Sequence, residues 1–191
     1  NMSLAALPDD EGQRKGLRAM LTGMLVAWDP VAGKPRWMAP RKFPWNSGIL
    51  ATAGGLVFQG TSEGFLEAFD AANGKQVWSY ETQNGIIAPP VTYRIDGEQY
   101  VAVMVGYGGA IIAAPLAAPD RPISLKGRLM VFKLGGTATA AKYEMPEKIA
   151  LDLSATTVAA DPKAGFDLYM RHCQVCHGHS ATGGLLPDLR Y

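Results

Sequence analysis

The sequence predicts a mainly β chain of short, turn-rich strands that ends in a helical segment. Three observations carry this reading. A strand–turn–strand unit recurs at an offset of 41 residues, Gly (22) and Pro (13) are both abundant, and the apolar pattern turns helical only after Asp161. Gly plus Pro amount to 18% of the 191 residues, against an average of roughly 12%. Tight turns on that scale suit an all-β architecture rather than a helical bundle.

Composition excludes several classes. Apolar residues make up 48% and the formal net charge is +1, which is incompatible with global disorder. The 18 Lys+Arg are offset by 17 Asp+Glu, so a generally basic nucleic-acid surface is not expected. The most apolar stretch, residues 100–118, is broken by Gly106, Gly108, Gly109 and Pro115, which suits strand and loop rather than a membrane span. The chain opens on Asn1 and reads as a cut from something longer, and the charged Asp9, Asp10 and Glu11 read as a solvated loop.

The repeat fixes the architecture. Gly23-Met-Leu-Val-Ala-Trp-Asp-Pro-Val-Ala-Gly-Lys-Pro-Arg-Trp37 returns as Gly64-Phe-Leu-Glu-Ala-Phe-Asp-Ala-Ala-Asn-Gly-Lys-Gln-Val-Trp78, and a decayed third copy begins at Gly127-Arg-Leu-Met-Val-Phe-Lys133. A period near 40 with about four short strands per unit is the signature of propeller blades. Within each copy the Asp is placed to accept backbone N–H groups and the Gly to take φ > 0, so a turn separates two β-prone runs. Gly54-Gly55 and Asp96-Gly97 mark further turns, the latter a strong hairpin signal. Tyr100 to Val105 reads as a buried strand. Two full blades and part of a third are expected over residues 1–134, with the rest of a ring upstream. Residues 135–160, opened by Gly135-Gly-Thr-Ala-Thr-Ala-Ala141, form a linker.

From residue 161 to 191 the pattern changes. Asp161 is an N-cap with Pro162 at the first helical position, and Phe166, Tyr169 and Met170 share a helix face. The helix leads into Cys173-Gln-Val-Cys176-His177, the attachment pattern of haem c. Two thiols at this spacing add to the two vinyl groups, and His177 reaches the iron as its proximal ligand. A thioredoxin-like pair lacks its βαβ context, and half a zinc site lacks a second Cys/His cluster. His172 and His179 read as surface residues, and Met170 as a helix core residue.

Residues 163–191 resemble the N-terminal part of a class I-type cytochrome c domain. In that family a Pro at the position of Pro187 packs on the proximal face of the haem. The distal Met of the family lies downstream of Tyr191, so the cytochrome domain is expected to be truncated. The two copies of Ala-x-Asp-x-x-x-Gly-Lys-x-x-Trp resemble the tryptophan-docking motif of quinoprotein dehydrogenases, eight-bladed propellers that bind pyrroloquinoline quinone (PQQ). The resemblance implies that Trp37 and Trp78 pack between blades as structural residues. With the C-terminal haem motif the chain is similar to quinohaemoprotein alcohol dehydrogenases, in their C-terminal part.

The resemblance also implies cofactor contacts. A PQQ-contacting residue falls on Trp45 or Asn46, the plain alternative being a core Trp and a turn Asn. A main-chain contact falls on Ala110, at the end of Gly106-Tyr-Gly-Gly-Ala110, the alternative being an ordinary glycine loop. The catalytic Asp and the Ca²⁺ ligands of the family belong to earlier blades, so no catalytic residue is assigned. The implied function is oxidation of an alcohol by PQQ with electron transfer to haem c, then to a downstream acceptor such as a cytochrome, blue-copper protein or membrane quinone. The implied location is periplasmic, any membrane association running through that acceptor. Two alternatives stand beside it, a non-catalytic propeller scaffold and an electron-carrier docking module fused to a cytochrome c.

Overall fold

A computed structural model describes residues 10–108, 124, 126–143, 161–177, 181 and 189. The chain begins with α1 (Glu11–Met20), and two strands follow, β1 (Gly23–Asp29) and β2 (Lys34–Arg41). A four-stranded antiparallel meander comes next, of β3 (Ile49–Ala51), β4 (Leu56–Gly60), β5 (Phe65–Asp70) and β6 (Gln76–Glu81). A third sheet holds β7 (Val91–Ile95), β8 (Glu98–Val105) and β9 (Arg128–Lys133). Among the described residues there is thus one complete four-stranded unit rather than two. The segment ahead of β1 is helix, where a complete unit would place its first two strands. That helix also corrects the expected charged loop, because Asp10 Oδ1 accepts the Gln13 amide at 2.8 Å and caps α1.

The turns form as their residues dictate. Asp29 Oδ1 accepts the amides of Val31 (3.0 Å) and Ala32 (2.9 Å), and Gly33 sits at φ +63°. The second copy repeats this, with Asp70 Oδ1 accepting the Ala72 amide at 2.7 Å and Gly74 at φ +75°. Asp96 and Gly97 (φ +50° and +82°) close the β7–β8 hairpin, the two positive values that a type I′ turn requires.

Alternation along β5 builds two cores from one strand. Leu66 faces β8 and β9, where it joins Ile86, Val103 and Val105 with Met130 and Phe132 packed alongside. Phe69 faces the other way and clusters with Leu25, Val57, Trp37 and Ala39 of β1, β4 and β2. The middle sheet is therefore cemented on both faces. The outward face of β1, with Met24 and Trp28 at 52% and 58% exposure, has no such cover among the described residues. Of the expected buried strand, Ala102, Val103 and Val105 are buried, whereas Met104 is exposed.

Tryptophan docks sheet to sheet, though unequally. The Trp37 indole donates to the Ala71 carbonyl at 2.9 Å in the turn of the next sheet. Its ring lies so close to Gly74 that a Cβ there would stand 2.6 Å from a ring carbon. Trp78 meets Phe132 edge-on at 5.5 Å and stacks on Tyr80. Where the second copy has Asp70, the third has Lys133; the turn that follows is closed by the Gly136 amide on Lys133 O at 3.0 Å, and among the described residues it takes no hydrogen bond from the Trp78 indole.

Residues 136–143 are not a free tether. The Ala140 amide donates to the Tyr80 hydroxyl (3.3 Å) and the Tyr143 amide to Gln83 Oε1 (3.1 Å). Arg128 lies 3.5 Å over the Tyr143 ring. Further on, α2 (Pro162–His172) starts as expected, with Asp161 Oδ1 accepting the amides of Lys163 (2.9 Å) and Ala164 (3.1 Å). No helix among the described residues is long and apolar enough to cross a membrane.

Candidate functional site

In an antiparallel meander alternate connections emerge at the same end, and here residues 42–48, 61–64 and 82–90 share one end with residues 106–108, 124, 126 and 127, the described part of the β8–β9 connection. Their backbones are knit together. The Ser47 amide donates to Gly60 O (2.9 Å), the Ile86 amide to Thr61 O (2.9 Å) and the Gly106 amide to Gly85 O (2.7 Å). Buried polar side chains seal the joints. Thr82 Oγ1 donates between the carbonyls of Gly64 and Asn84, Asn84 Nδ2 donates to Ser124 O at 2.8 Å, and the Tyr107 hydroxyl donates to Ser62 O at 2.5 Å. A Cβ at Gly85 would strike the Tyr107 ring and the Ser62 carbonyl, so glycine is required for this approach.

The quinone-contact candidates fall at this end. Trp45 is 39% exposed and holds φ +55°, a left-handed conformation that costs a bulky residue about 1–3 kcal/mol. Asn46 does hold a turn, since its Nδ2 donates to Phe43 O at 2.9 Å. Gly106 and Gly108 take φ +133° and +49° on either side of the buried Tyr107. Ala110 lies outside the described residues.

The candidate haem-attachment residues occupy one helical turn. Cys173 caps α2, its amide donating to Tyr169 O at 2.8 Å, and α3 (Gln174–His177) follows at once. The amides of Cys176 and His177 both donate to Cys173 O, at 3.1 and 3.0 Å. Residues three apart on a helical turn share a face, so both thiols are presented together with the imidazole one residue on. Both cysteines are free, Cys173 half-buried and Cys176 exposed. These residues fit a haem attached through two thioethers. His172 is exposed and Met170 only half-buried. His179 and Pro187 lie outside the described residues.

One group of residues escaped the sequence reading. Arg41 at the end of β2 reaches into the next sheet, where Nη1 meets Glu67 Oε2 at 2.5 Å and Nε donates to Gln59 Oε1 at 2.9 Å. The guanidinium also covers the Phe69 ring at 4.6 Å. The signal was present in the repeat, because Glu67 stands where the first copy has Val26. A carboxylate on the inward face of a central strand needs a partner.

Successive antiparallel sheets, docked through tryptophan and joined at one knitted end, define a run of β-propeller blades. Residues 26–101 match the PQQ family, the glucose/ethanol/alcohol dehydrogenase β-propeller domain. Along most of its length the chain is similar to quinohaemoprotein alcohol dehydrogenases. Quinohemoprotein alcohol dehydrogenase ADH IIB of Pseudomonas putida is 42% identical over 176 residues, covering 90% of this chain and 26% of that protein. The 1-butanol dehydrogenase (cytochrome c) of Thauera butanivorans is 41% identical over 175 residues, covering 88% of this chain and 24% of that protein. Among solved structures, quinohemoprotein alcohol dehydrogenase from Comamonas testosteroni superposes with a TM-score of 0.61 at 36% identity, over 89% of this chain and 24% of that one. The chain thus spans about a quarter of the length of the relatives it matches.

Proposed function

We propose that this chain supplies propeller blades and the haem-attachment segment of a PQQ-dependent dehydrogenase that oxidises alcohols and passes electrons to covalently bound haem c. The observation that carries the reading is the pairing, on one chain, of a tryptophan-docked repeat with Cys173, Cys176 and His177 on a single helical turn. The likeness to proteins named as quinohemoprotein and cytochrome c alcohol dehydrogenases supports it.

PQQ, when bound, accepts two electrons from the alcohol, and haem c carries them away singly. The chain's own residues hold these groups. Trp45 offers an exposed aromatic face at the knitted end of the sheets, and the buried Tyr107 fixes the glycine loop that leads to Ala110. Cys173 and Cys176 would hold the haem covalently, and His177 would ligate its iron from the proximal side. The catalytic base and the Ca²⁺ ligands are proposed to lie on other blades of the whole protein. A periplasmic setting follows from haem c attachment, and a cytochrome, blue-copper protein or membrane quinone is the proposed acceptor.

The test uses the whole protein matured where haem c is attached. Denaturing electrophoresis should retain haem on the polypeptide, and acid extraction should release PQQ. Acceptor reduction should require an alcohol. A protein carrying haem but no quinone would be an electron carrier, and one carrying neither would be a scaffold.

A further inference from the structure

We infer that Glu67, Arg41 and Gln59 form a positioning network that holds Trp45 in its left-handed conformation for the quinone. This rests on the reading of Trp45 as a cofactor contact. The loop from Arg41 to Ser47 is pinned at both ends by one chain of hydrogen bonds. At its start, Arg41 is gripped by Glu67 Oε2 (2.5 Å) and Gln59 Oε1 (2.9 Å). At its end, Gln59 Nε2 donates to Ser47 O (3.3 Å), and Ser47 Oγ accepts the Gly60 amide at 2.7 Å. Gln59 therefore ties the first residue of the loop to the last.

The network is built to be rigid. The Arg41 and Glu67 side chains are 8% and 14% exposed, where a charge pair is little screened and costly to break. Arg41 Nη2 is itself buried, with no partner among the described residues, so the guanidinium depends on the two grips it has. Inside the loop, Asn46 Nδ2 donates to Phe43 O, and a Cβ at Gly23 would collide with that same carbonyl and crowd Arg41 Cβ and Asn46 Nδ2. A bulky residue persists in a strained conformation only where its surroundings over-determine it. Here they do, on either side of Trp45, while the indole itself remains partly exposed.

Gln59→Glu in the whole protein separates position from packing. The carboxylate still accepts from Arg41 but has nothing to donate to Ser47 O, so the loop's far end loses one of its three ties and keeps the two between Ser47 and Gly60, with volume conserved. The expected result is PQQ binding to the apo form weakened by about fivefold to tenfold, the equivalent of one lost hydrogen bond. Amide exchange at Ser47 and Gly60 should quicken, with the haem spectrum unchanged. Trp45→Ala should weaken PQQ binding on its own, and the double variant should bind no worse than Trp45→Ala. If Gln59→Glu binds PQQ normally while Trp45→Ala does not, the network fails and the cofactor contact stands. Additive losses in the double variant also overturn the network. If Trp45→Ala binds PQQ normally, the cofactor contact falls and the inference falls with it.

Discussion

The Trp37 indole donates to the Ala71 carbonyl of the neighbouring sheet at 2.9 Å and lies flat against Gly74. This contact joins the last strand of one unit to the Asp–Gly turn of the next. It gives the turn and the tryptophan a shared role: the Asp70–Gly74 turn is the receptor for the previous unit's tryptophan. Trp78 faces the decayed third copy and meets Phe132 instead.

The two tryptophans should therefore differ. Trp37→Ala is expected to destabilise the whole protein by about 3–5 kcal/mol, and Trp37→Phe by about 1 kcal/mol, the worth of the hydrogen bond. Trp78→Ala, at a residue 38% exposed, should cost less than Trp37→Ala. Denaturant midpoints measure all three, and equal losses at both positions would refute the docking asymmetry.

Gly60 is packed without clearance. A Cβ there would overlap the side chain of Ile86, which is 0% exposed. Gly60→Ala should cost about 1–3 kcal/mol through overpacking, and a companion Ile86→Val should recover part of it. A neutral Gly60→Ala would show that the joint between these loops is loose.

Haem attachment should depend on both thiols of the turn. Cys176→Ala is expected to abolish most covalent haem on a denaturing gel while leaving the Asp161-capped helix intact. Asp161→Ala should cost that helix about 1 kcal/mol through loss of its cap. Full haem retention in Cys176→Ala would remove the motif from the proposed function.

Acid should weaken two surface contacts. The Ala32 amide holds the Asp29 carboxyl below its ordinary value of 3.8, and the Lys133 ammonium holds Glu98 below 4.5. A lowered folded-state pKa gives stability that is present above the unfolded value and lost as pH falls through the folded one. Both contributions are thus present in full at neutral pH and begin to fall as pH drops to about 4, ending only below the lowered folded values. Asp29→Asn and Glu98→Gln should flatten that acid limb in urea midpoints taken between pH 3 and 6. An unchanged limb would mean other carboxylates dominate it.

How far the sequence could be read follows from the range of the forces involved. The turns at Asp29–Gly33 and Asp70–Gly74, the Asp96–Gly97 hairpin, the Asp161 cap and the Cys173–His177 turn are each set by residues within a few positions of one another, so composition and spacing announce them. The repeat determined the propeller-like strand order for the same reason, since each unit carries its own turn chemistry. Which face of β5 meets which neighbour was not legible, because Leu66 and Phe69 are both apolar and only the stacking of sheets on either side assigns them. Nor was the grip of Glu67 on Arg41 across 26 residues, or the left-handed backbone of Trp45. A buried charge finds its partner, and a strained residue its restraint, only when sheets distant in sequence close on each other and exclude water from between them.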